Sequence, residues 1–468
     1  MIISLADFML FGLSDEKIFE VLNRGEVNIA VYGLGRIGLP LAIAWLRAGQ
    51  RVLGVDVNRN IVDKINIGLS PILDEPLIPE YLSMFVKLGK FKATTDLIEA
   101  SKLCEVKFVA VPTGIVNGRF NVENLVSALK AIGKGLKKGD AVCIESTVPP
   151  TTTETLAKSI LESESGLIVE EDFALAHSPE RIYGGRALDD LENRYPKIVG
   201  GIGPKSTRFF SLLYRRIAKR GVIVMSSARA AEFSKIFEGI YRDVNIALVN
   251  ELSSLCNVYN VDFFEIRNAS NSQPFCNLHK PGVGVGGPCI PVYPYFLIEK
   301  ASEVNLKLDL TLLSRKINEN MPIKTISLIM EFLKKFNVDT SKIKIAILGL
   351  AFRGNIADSR LSPTYDLINL LKPLGFNIIV HDPYISEDQI LISKNIPLTN
   401  SIEDAIKDTN IVLIATDHDI YYKLNWNLLS NLMIEPKLLF DGRGVVDISK
   451  LPKDLNFMGI GRPSIFIK

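Results

Sequence analysis

The chain has no excess of charge of either sign. Its 468 residues include 54 basic and 52 acidic side chains, which leaves a formal charge of +2. Proteins that bind nucleic acid need a basic excess to contact its phosphates, so nucleic acid is not expected as the main partner. Apolar residues make up 47% of the chain and charged residues 23%, which is typical of a globular protein long enough for two or three domains.

Cysteine and histidine are also scarce. The five cysteines include no CxxC pair, and the four histidines lack metal-ligand spacing. This pattern predicts a protein of a reducing compartment, by default the cytoplasm. It predicts neither a disulfide framework nor a metal site.

Signals for membrane insertion are missing as well. The apolar start, residues 1–8, has no basic residue and is interrupted by Asp7, so we expect a short packing segment and no signal peptide. The apolar stretch 27–46 contains Arg36, Pro40 and three glycines. It favours a buried strand leading into a buried helix over a membrane span.

Hydrophobic periodicity divides the chain into four segments. Residues 1–26 form an N-terminal extension with a helix at 14–24, and residues 27–228 alternate strands and helices as in a doubly wound parallel sheet. Residues 229–338 are helical, with one long helix from Ala230 to Tyr259, and residues 339–468 repeat the strand pattern. Strands are predicted at 27–33, 51–57, 106–111, 141–145, 173–176, 197–199, 342–348, 377–381, 411–415 and 438–440. In the second segment they alternate with predicted helices such as 122–136 and 152–162. The sequence therefore predicts an α/β protein with two Rossmann-like domains joined by a helical domain.

A dinucleotide fingerprint lies in the second segment. Gly33, Gly35 and Gly38 form G-x-G-x-x-G between a predicted strand and helix, and Asp56 follows 21 residues after Gly35. The glycines permit a tight turn, close approach of a pyrophosphate and packing of the helix on the strand. A carboxylate at 56 would repel a 2′-phosphate, which favours NAD over NADP. Arg59 is a counter-argument, since a nearby arginine can hold that phosphate, but we expect it to contact the adenine or the pyrophosphate. The alternative is a glycine turn without a ligand.

A second glycine turn begins at Gly349 but lacks the third glycine. Its partner acid would be Asp382, and Arg353, Asp358 and Arg360 lie close by in sequence. This composition predicts a loop that faces phosphate but no longer binds NAD. An ordinary strand–helix turn with a solvated arginine is the alternative.

The third notable segment is the loop at 281–291. It holds four glycines, three prolines and Cys289. Glycines remove side chains that would wall off the sulfur, and prolines stiffen the loop. The pattern predicts an aimed, approachable thiol, or alternatively a structural loop around an inert buried cysteine.

Together these motifs resemble the UDP-glucose/GDP-mannose dehydrogenase family, in particular its UDP-N-acetylhexosamine (mannosamine) 6-dehydrogenase branch. The resemblance runs from about residue 27 to the end. The matching blocks are residues 32–40, 111–113, 145–149, 177–181, 231–237, 242–251, 281–291, 351–355, 358–360 and 441–443. It implies an NAD domain, a helical middle domain that forms a homodimer, and a UDP-sugar domain.

The resemblance also implies a chemistry, typical of polysaccharide biosynthesis, in which a sugar C6 alcohol becomes a carboxylate and two NAD are reduced. Cys289 would be the nucleophile, Lys235 would stabilise oxyanions, and Glu180 with Thr147 would activate water. The cofactor residues would be Gly33, Gly35, Arg36, Ile37, Gly38, Asp56, Arg59, Pro112, Thr113 and Thr147, with Arg360 from the second subunit. The substrate residues would be Glu180, Arg181, Lys235, Lys280, Gly284, Gly286, Phe352, Arg353 and Arg443. From the residues alone, Lys235 could equally lie on a solvated helix face, and the Glu180–Arg181 pair could form a surface salt bridge.

Five positions depart from the family pattern. Gly239 replaces an asparagine, Tyr293 an aspartate, Pro288 a histidine, Cys276 an arginine and Ala357 an acid. These changes keep open a weakened paralogue that binds NAD and a nucleotide sugar without turnover. A two-electron dehydrogenase of the hydroxy-acid type is a third hypothesis, although it needs neither Cys289 nor a second nucleotide domain.

Overall fold

The computed structural model describes residues 9–116, 119–336 and 338–467, without the side chain of Arg119. The predicted packing segment 1–8 lies outside the described residues. Two compact units are formed. The first unit contains residues up to 238 together with Tyr295–Val304, and the second contains Gly239–Pro294 and the residues from 305 onward.

The first unit is built on an eight-stranded sheet. The strands of this unit, including two that lie outside the large sheet, are β1 (Asn28–Tyr32), β2 (Arg51–Val55), β3 (Phe91–Thr94), β4 (Val106–Val109), β5 (Gly114–Val116), β6 (Arg119–Asn121), β7 (Ala141–Ile144), β8 (Ala174–His177), β9 (Lys197–Gly201) and β10 (Val222–Val224). The order is β10-β9-β8-β7-β4-β1-β2-β3, while β5 and β6 form a separate hairpin. Tyr32 pairs with Val55 on one side and Val109 on the other, which fixes the register at the centre.

Helices cover this sheet because its central strands are apolar on both faces. They are α1 (Asp15–Arg24), α2 (Gly38–Arg47), α3 (Arg59–Asn66), α4 (Ile78–Lys87), α5 (Leu97–Leu103), α6 (Glu123–Gly135), α7 (Lys158–Ser165), α8 (Ala187–Asp189) and α9 (Pro204–Tyr214). In the core, the indole of Trp45 stacks on Phe108 with ring centroids 5.4 Å apart.

The second unit contains a six-stranded, fully parallel sheet. Its strands are β11 (Lys344–Leu348), β12 (Asn377–His381), β13 (Leu398–Thr399), β14 (Ile411–Ile414), β15 (Leu438–Asp441) and β16 (Asn456–Gly459), in the order β13-β12-β11-β14-β15-β16. The remaining helices are α10 (Ala228–Tyr259), α11 (Phe263–Ser270), α12 (Tyr293–Ser302), α13 (Asp309–Glu319), α14 (Met321–Phe336), α15 (Pro363–Leu371), α16 (Gln389–Ser393), α17 (Ile402–Ile406) and α18 (Trp426–Leu429). Both α10 and α12 contribute residues to each unit.

The predicted α/β class and long helix are confirmed, and the observed bounds of the predicted strands and of α10 differ from prediction by at most two residues. Two details differ. β8 and β9 pair antiparallel, because the chain returns to the same sheet edge without crossing over it. The helix predicted at 152–162 begins as a π-turn, Thr153–Ala157, before α7.

Within the described ranges, no helix is both long enough and apolar enough to cross a membrane.

Candidate active site

The residues predicted to bind the cofactor lie at one edge of the first sheet. Gly33 follows β1, Asp56 follows β2, Thr113 follows β4, Thr147 follows β7 and Glu180 follows β8. These five strands are parallel neighbours, so their carboxyl ends meet at the same edge. Ligands of doubly wound sheets bind at this edge.

The three fingerprint glycines have different roles. Gly33 has a φ of +89°, and a Cβ there would lie 2.5 Å from the Ala110 carbonyl oxygen. A Cβ at Gly38 would lie 1.8 Å from the Gly33 carbonyl oxygen. By contrast, a Cβ at Gly35 would meet no described atom within 4 Å. Gly33 and Gly38 therefore close the turn, and the open space at Gly35 fits a pyrophosphate at the start of α2.

The Asp56 carboxylate is oriented by its own loop. Oδ2 accepts a hydrogen bond from the Leu34 amide and Oδ1 accepts one from the Asn58 amide, both 2.9 Å. Each oxygen keeps a lone pair for a ribose hydroxyl, so the residues present fit NAD. Arg59 is the exposed first residue of α3.

The other predicted cofactor residues lie around this turn. Arg36 forms an ion pair with Asp74 (Nη2–Oδ2 2.8 Å), and Ile37 directly precedes α2. The Thr113 hydroxyl donates to the Thr147 carbonyl at 2.7 Å. The carbonyl of the exposed Pro112 accepts from the Asn124 side chain at 3.2 Å. The loops after β4 and β7 are therefore tied together.

Glu180 is buried and held from two sides. Oε1 accepts from the backbone amides of Arg181 (2.7 Å) and Ile182 (3.1 Å). Oε2 lies 2.6 Å from Nζ of Lys197, and the same Nζ lies 2.7 Å from Oε2 of Glu145. One buried lysine therefore pairs with two carboxylates, one of which is the predicted base.

The protonation of this cluster reflects burial and the shared charge. Burial opposes the charge of Lys197, but Glu145 and Glu180 outweigh it and raise the pKa of the lysine. Burial, together with Glu180, raises the pKa of Glu145 to about 7 against the opposing effect of Lys197. Tyr214 donates its hydroxyl to the other oxygen of Glu145.

Sequence reasoning did not assign Lys197 and Glu145 to the site. The signal was a charged residue at the boundary of an apolar strand: Lys197 begins β9, and Glu145 directly follows β7. Such residues are almost never fully buried unless they are paired.

Lys235 and His177 lie close enough to interact electrostatically. His177 ends β8 and is buried, and neither of its ring nitrogens has a hydrogen-bond partner among the described residues. Burial lowers the pKa of His177 to about 3, and the charges of Lys197 and Lys235 act in the same direction. Lys235, on α10, therefore lies close to the carboxyl end of β8, which is at the sheet edge that holds the predicted cofactor residues.

Arg181 forms contacts that differ from those of Glu180. Its guanidinium pairs with the half-exposed Glu238 at 3.0 Å and lies 4.9 Å from the ring centroid of Tyr195. The Glu180 carboxylate, in contrast, pairs with the buried Lys197. The two neighbours in sequence therefore differ in environment, and only Glu180 is buried in a charged cluster.

Cys289, in the second unit, is half-buried. By contrast, Cys104 and Cys143 in the first unit and Cys256 in the second are buried. The Gly287 amide donates to the Arg360 carbonyl at 3.0 Å. Three hydrogen bonds to Asp358, 2.9, 3.2 and 2.6 Å long, hold the Arg360 guanidinium.

These hydrogen bonds raise the pKa of Arg360, with a smaller contribution from Cys289. A permanent cation therefore lies near the thiol, the type of environment in which cysteines are reactive.

The loop glycines make room for neighbouring side chains. A Cβ at Gly282 would lie 2.5 Å from a guanidinium nitrogen of Arg443, and one at Gly287 would lie 2.7 Å from the Phe352 ring. A Cβ at Gly286 would lie 2.8 Å from Cβ of Phe352, and one at Gly284 the same distance from Pro363. The glycines thus admit side chains of the second unit, and their effect on access to the sulfur stays a prediction.

Basic side chains gather at the carboxyl edge of the second sheet. Lys280 donates to the Tyr422 hydroxyl at 3.3 Å, and Arg443 lies 3.4 Å from Asp417. The charge of Arg443, with a smaller contribution from Lys280, holds the pKa of Asp417 below its usual range. Arg353 lies in the loop after β11, at the same edge.

Asp382 explains why the second glycine turn is unsuited to NAD. Its Oδ2 accepts from the amides of Leu350 and Ala351, both 2.8 Å, and lies 3.2 Å from Nε2 of His418. Its Oδ1 accepts from the amide of Tyr384 at 2.9 Å. The carboxylate is committed to the protein's own backbone, so it has little capacity left for ribose hydroxyls.

Known proteins share this organisation. The NAD-binding, central and UDP-binding domains of the UDP-glucose/GDP-mannose dehydrogenase family match residues 27–218, 229–320 and 346–448. A UDP-N-acetyl-D-mannosamine dehydrogenase of Pyrococcus horikoshii is 36% identical over 94% of this chain and 100% of its own length.

Solved structures agree. The UDP-D-ManNAc dehydrogenase structure from Pyrococcus horikoshii has a TM-score of 0.85 at 34% identity, covering 94% of this chain and all of that one. An NDP-N-acetyl-D-galactosaminuronic acid dehydrogenase from Methanosarcina mazei has a TM-score of 0.81 at 30% identity, covering 98% of each chain. The chain therefore belongs to the UDP-glucose/GDP-mannose dehydrogenase family and is an NAD-dependent nucleotide-sugar dehydrogenase, as its motifs predicted.

Proposed function

We propose that this enzyme oxidises the C6 alcohol of a UDP-sugar to a carboxylate through a covalent bond to Cys289, with UDP-N-acetylmannosamine as the first substrate to test. The observation that carries the proposal is the half-buried Cys289 near the Arg360 guanidinium. The similarity to UDP-N-acetyl-D-mannosamine dehydrogenases supports the choice of sugar.

The reaction balances as one alcohol, two NAD⁺ and one water giving a carboxylate, two NADH and three protons. NAD supplies the hydride acceptor for each of the two oxidations. The Cys289 thiolate adds to the C6 aldehyde to form a thiohemiacetal, and its oxidation leaves a thioester. Water then cleaves the C–S bond, which releases the thiolate and the acid.

We assign the remaining roles by their surroundings. Lys235 stabilises the oxyanion at C6. Glu180, which is paired with Lys197, accepts a proton from the hydrolytic water with help from Thr147. Arg443, Lys280 and Arg353 bind the uridine diphosphate, because guanidinium and ammonium groups suit phosphate oxygens. Phe352, Arg181, Gly284 and Gly286 complete the proposed sugar site.

The test is product stoichiometry. Purified enzyme is incubated with NAD and a panel of UDP-sugars, and NADH absorbance is compared with the mass of the sugar product. We expect two NADH per sugar. The sugar product should be about 14 Da heavier than the substrate, because conversion of the alcohol to the acid adds one oxygen and removes two hydrogens. Cys289→Ala should abolish acid formation, whereas the control Cys256→Ala, at a buried cysteine elsewhere in the second unit, should retain it.

The same assay separates the alternatives. One NADH with a carbonyl product indicates a two-electron dehydrogenase. Binding of NAD and UDP-sugar without any NADH indicates the weakened paralogue, which Gly239 and Tyr293 motivate.

We further propose a cytoplasmic homodimer that serves polysaccharide biosynthesis. All five cysteines are free, as is usual in a reducing compartment. The helix α10 exposes an apolar stripe at helical spacing, here called the α10 stripe: Tyr241, Leu248, Leu252, Leu255 and Tyr259. Such stripes commonly mark protein interfaces.

A further inference from the structure

Gly239 lies in the interior of the 32-residue helix α10. A glycine at an interior helical position is about 1 kcal/mol less favourable than alanine. Its backbone is helical and does not have the positive φ that would require glycine. Some other constraint must therefore explain the missing side chain.

The constraint is the ring of Tyr293. A Cβ at residue 239 would lie 2.7 Å from Cδ2 of Tyr293 and 3.4 Å from its Cβ. The closer contact is shorter than Cβ contacts observed in proteins, and Cδ2 lies near the base of the ring, where it cannot easily swing away. The buried Tyr293 ring thus occupies the space that a side chain at residue 239 would need.

Tyr293 is also attached to the turn that carries the candidate nucleophile. Its backbone amide donates to the Cys289 carbonyl at 3.0 Å, and the Val292 amide donates to the same oxygen at 3.1 Å. The ring and the thiol therefore belong to one hydrogen-bonded turn at the start of α12.

We infer that Gly239 and Tyr293 are a matched packing pair that fixes the Cys289 turn against α10, with Tyr293 as a positioning residue for the thiol. The two departures from the family pattern then have one cause, because a larger side chain at 239 requires a smaller one at 293. The relevance to catalysis rests on the proposed function, whereas the packing does not.

The test is a double-mutant cycle with Gly239→Ala, Tyr293→Ala and the combination of both. Thermal unfolding gives stability. Timed iodoacetamide labelling, followed by mass spectrometry of the peptides, gives the accessibility of Cys289. The half-buried Cys276 in the same molecules is the internal reference. Tyr293→Phe tests whether the ring or the hydroxyl is needed.

We expect Gly239→Ala to lower the melting temperature of the wild type and to raise it in the Tyr293→Ala background, where alanine's helix preference is no longer opposed. Each single substitution should speed Cys289 labelling about fivefold, the population change that about 1 kcal/mol of local stability produces. The combined variant should match either single one, Tyr293→Phe should match the wild type, and Cys276 should not change.

Additive effects would overturn the pairing, as would a Gly239→Ala variant that labels at the wild-type rate. A Tyr293→Phe variant that behaves like Tyr293→Ala would assign the effect to the hydroxyl and overturn the packing account. Turnover is measured separately. Coupled labelling in a protein that oxidises no UDP-sugar would refute the proposed function and leave the pair intact.

Discussion

At the scale of single residues, His177 links burial to pH. Its folded pKa of about 3 lies below the ordinary value because burial disfavours the charged ring. The unfolded chain takes up a proton below about pH 6.5 while the folded protein does not, so this contribution to stability is present above that pH and is lost as pH falls toward 3. His177→Leu should remove the dependence without breaking a hydrogen bond to any described residue.

The measurement is the free energy of unfolding in urea at pH 7.5 and 5.5. We expect the difference between His177→Leu and wild type to shift by about 1.4 kcal/mol in favour of the variant at the lower pH. Parallel pH profiles for the two proteins would show that His177 ionises as easily in the folded state as in the unfolded one.

Lys197 is the second residue whose effect can be measured. Lys197→Met would leave Glu145 and Glu180 buried without their shared cation, which should destabilise the protein by about 3–5 kcal/mol. The control is Lys102→Met, since Lys102 pairs with Glu99 at 3.9 Å and both side chains are about half exposed. That pair should contribute less than about 1 kcal/mol. Equal losses for the two variants in urea unfolding would contradict the buried charge cluster.

Individual residues differed in how well the sequence predicted them. The roles of Gly33 and Gly38 follow from local spacing, because the atoms they must avoid lie in the same turn or the adjoining strand loop. The Glu145–Lys197–Glu180 cluster depends on three strands meeting at one edge. The place of Lys197 at the start of an apolar strand is a local signal of burial, but it does not identify the two carboxylates that pair with the lysine. The Gly239–Tyr293 contact joins positions distant in sequence and was equally hidden.

At the scale of elements, the turn between β1 and α2 supports a prediction. Gly38→Ala forces a Cβ to 1.8 Å from the Gly33 carbonyl oxygen. It should therefore lower the free energy of unfolding by about 1–3 kcal/mol and also weaken NAD binding. Gly35→Ala meets no described atom within 4 Å. It should leave stability unchanged but weaken NAD binding by about tenfold or more, which is about 1.4 kcal/mol.

Thermal unfolding and calorimetric titration with NAD check these two effects. Gly12→Ala, whose Cβ would lie 3.9 Å from its nearest neighbour, is the control and should change neither quantity. Unchanged NAD affinity in Gly35→Ala would show that the pyrophosphate does not approach the turn at this glycine.

Apart from β5 and β6 of the separate hairpin, the strands that sequence periodicity missed share a position. In both sheets they are the edge strands: β3 and β10 in the first, β13 and β16 in the second. Most of these are short or partly exposed, so they lack the continuous apolar run that marks a buried central strand. The reversed direction of β9 was also hidden, because periodicity reports the type of an element and not which way it runs.

At the scale of the whole molecule, neither compact unit is continuous in sequence. Residues Tyr295–Val304 group with the first unit although the chain on both sides of them belongs to the second. In the first unit, Phe296 packs on Phe120 with ring centroids 5.1 Å apart. Periodicity along the chain assigns helices but not their partners, so this grouping could be seen only in three dimensions.

The α10 stripe predicts the oligomeric state. We expect light scattering to give twice the 51.8 kDa chain mass. Leu255→Glu should produce a folded monomer, because it places a charge in the middle of an apolar interface. Leu428 is a similarly exposed leucine outside the stripe, so Leu428→Glu is the control and should remain dimeric. A wild-type monomer, or a Leu255→Glu dimer, would exclude the stripe as the interface.

If the protein is a dimer, Arg360 could act on its own chain or on the partner. Family resemblance implies the partner's cofactor site, but the contacts within one chain place Arg360 near its own Cys289, and its carbonyl accepts from Gly287. We therefore expect Arg360→Ala to lose activity, and mixing it with Cys289→Ala under subunit exchange to restore none. A hybrid whose formation is verified by two affinity tags decides between the two arrangements. If Arg360 acts across the interface, the hybrid contains one complete site and regains activity, because the intact Cys289 of one subunit then meets the intact Arg360 of the other.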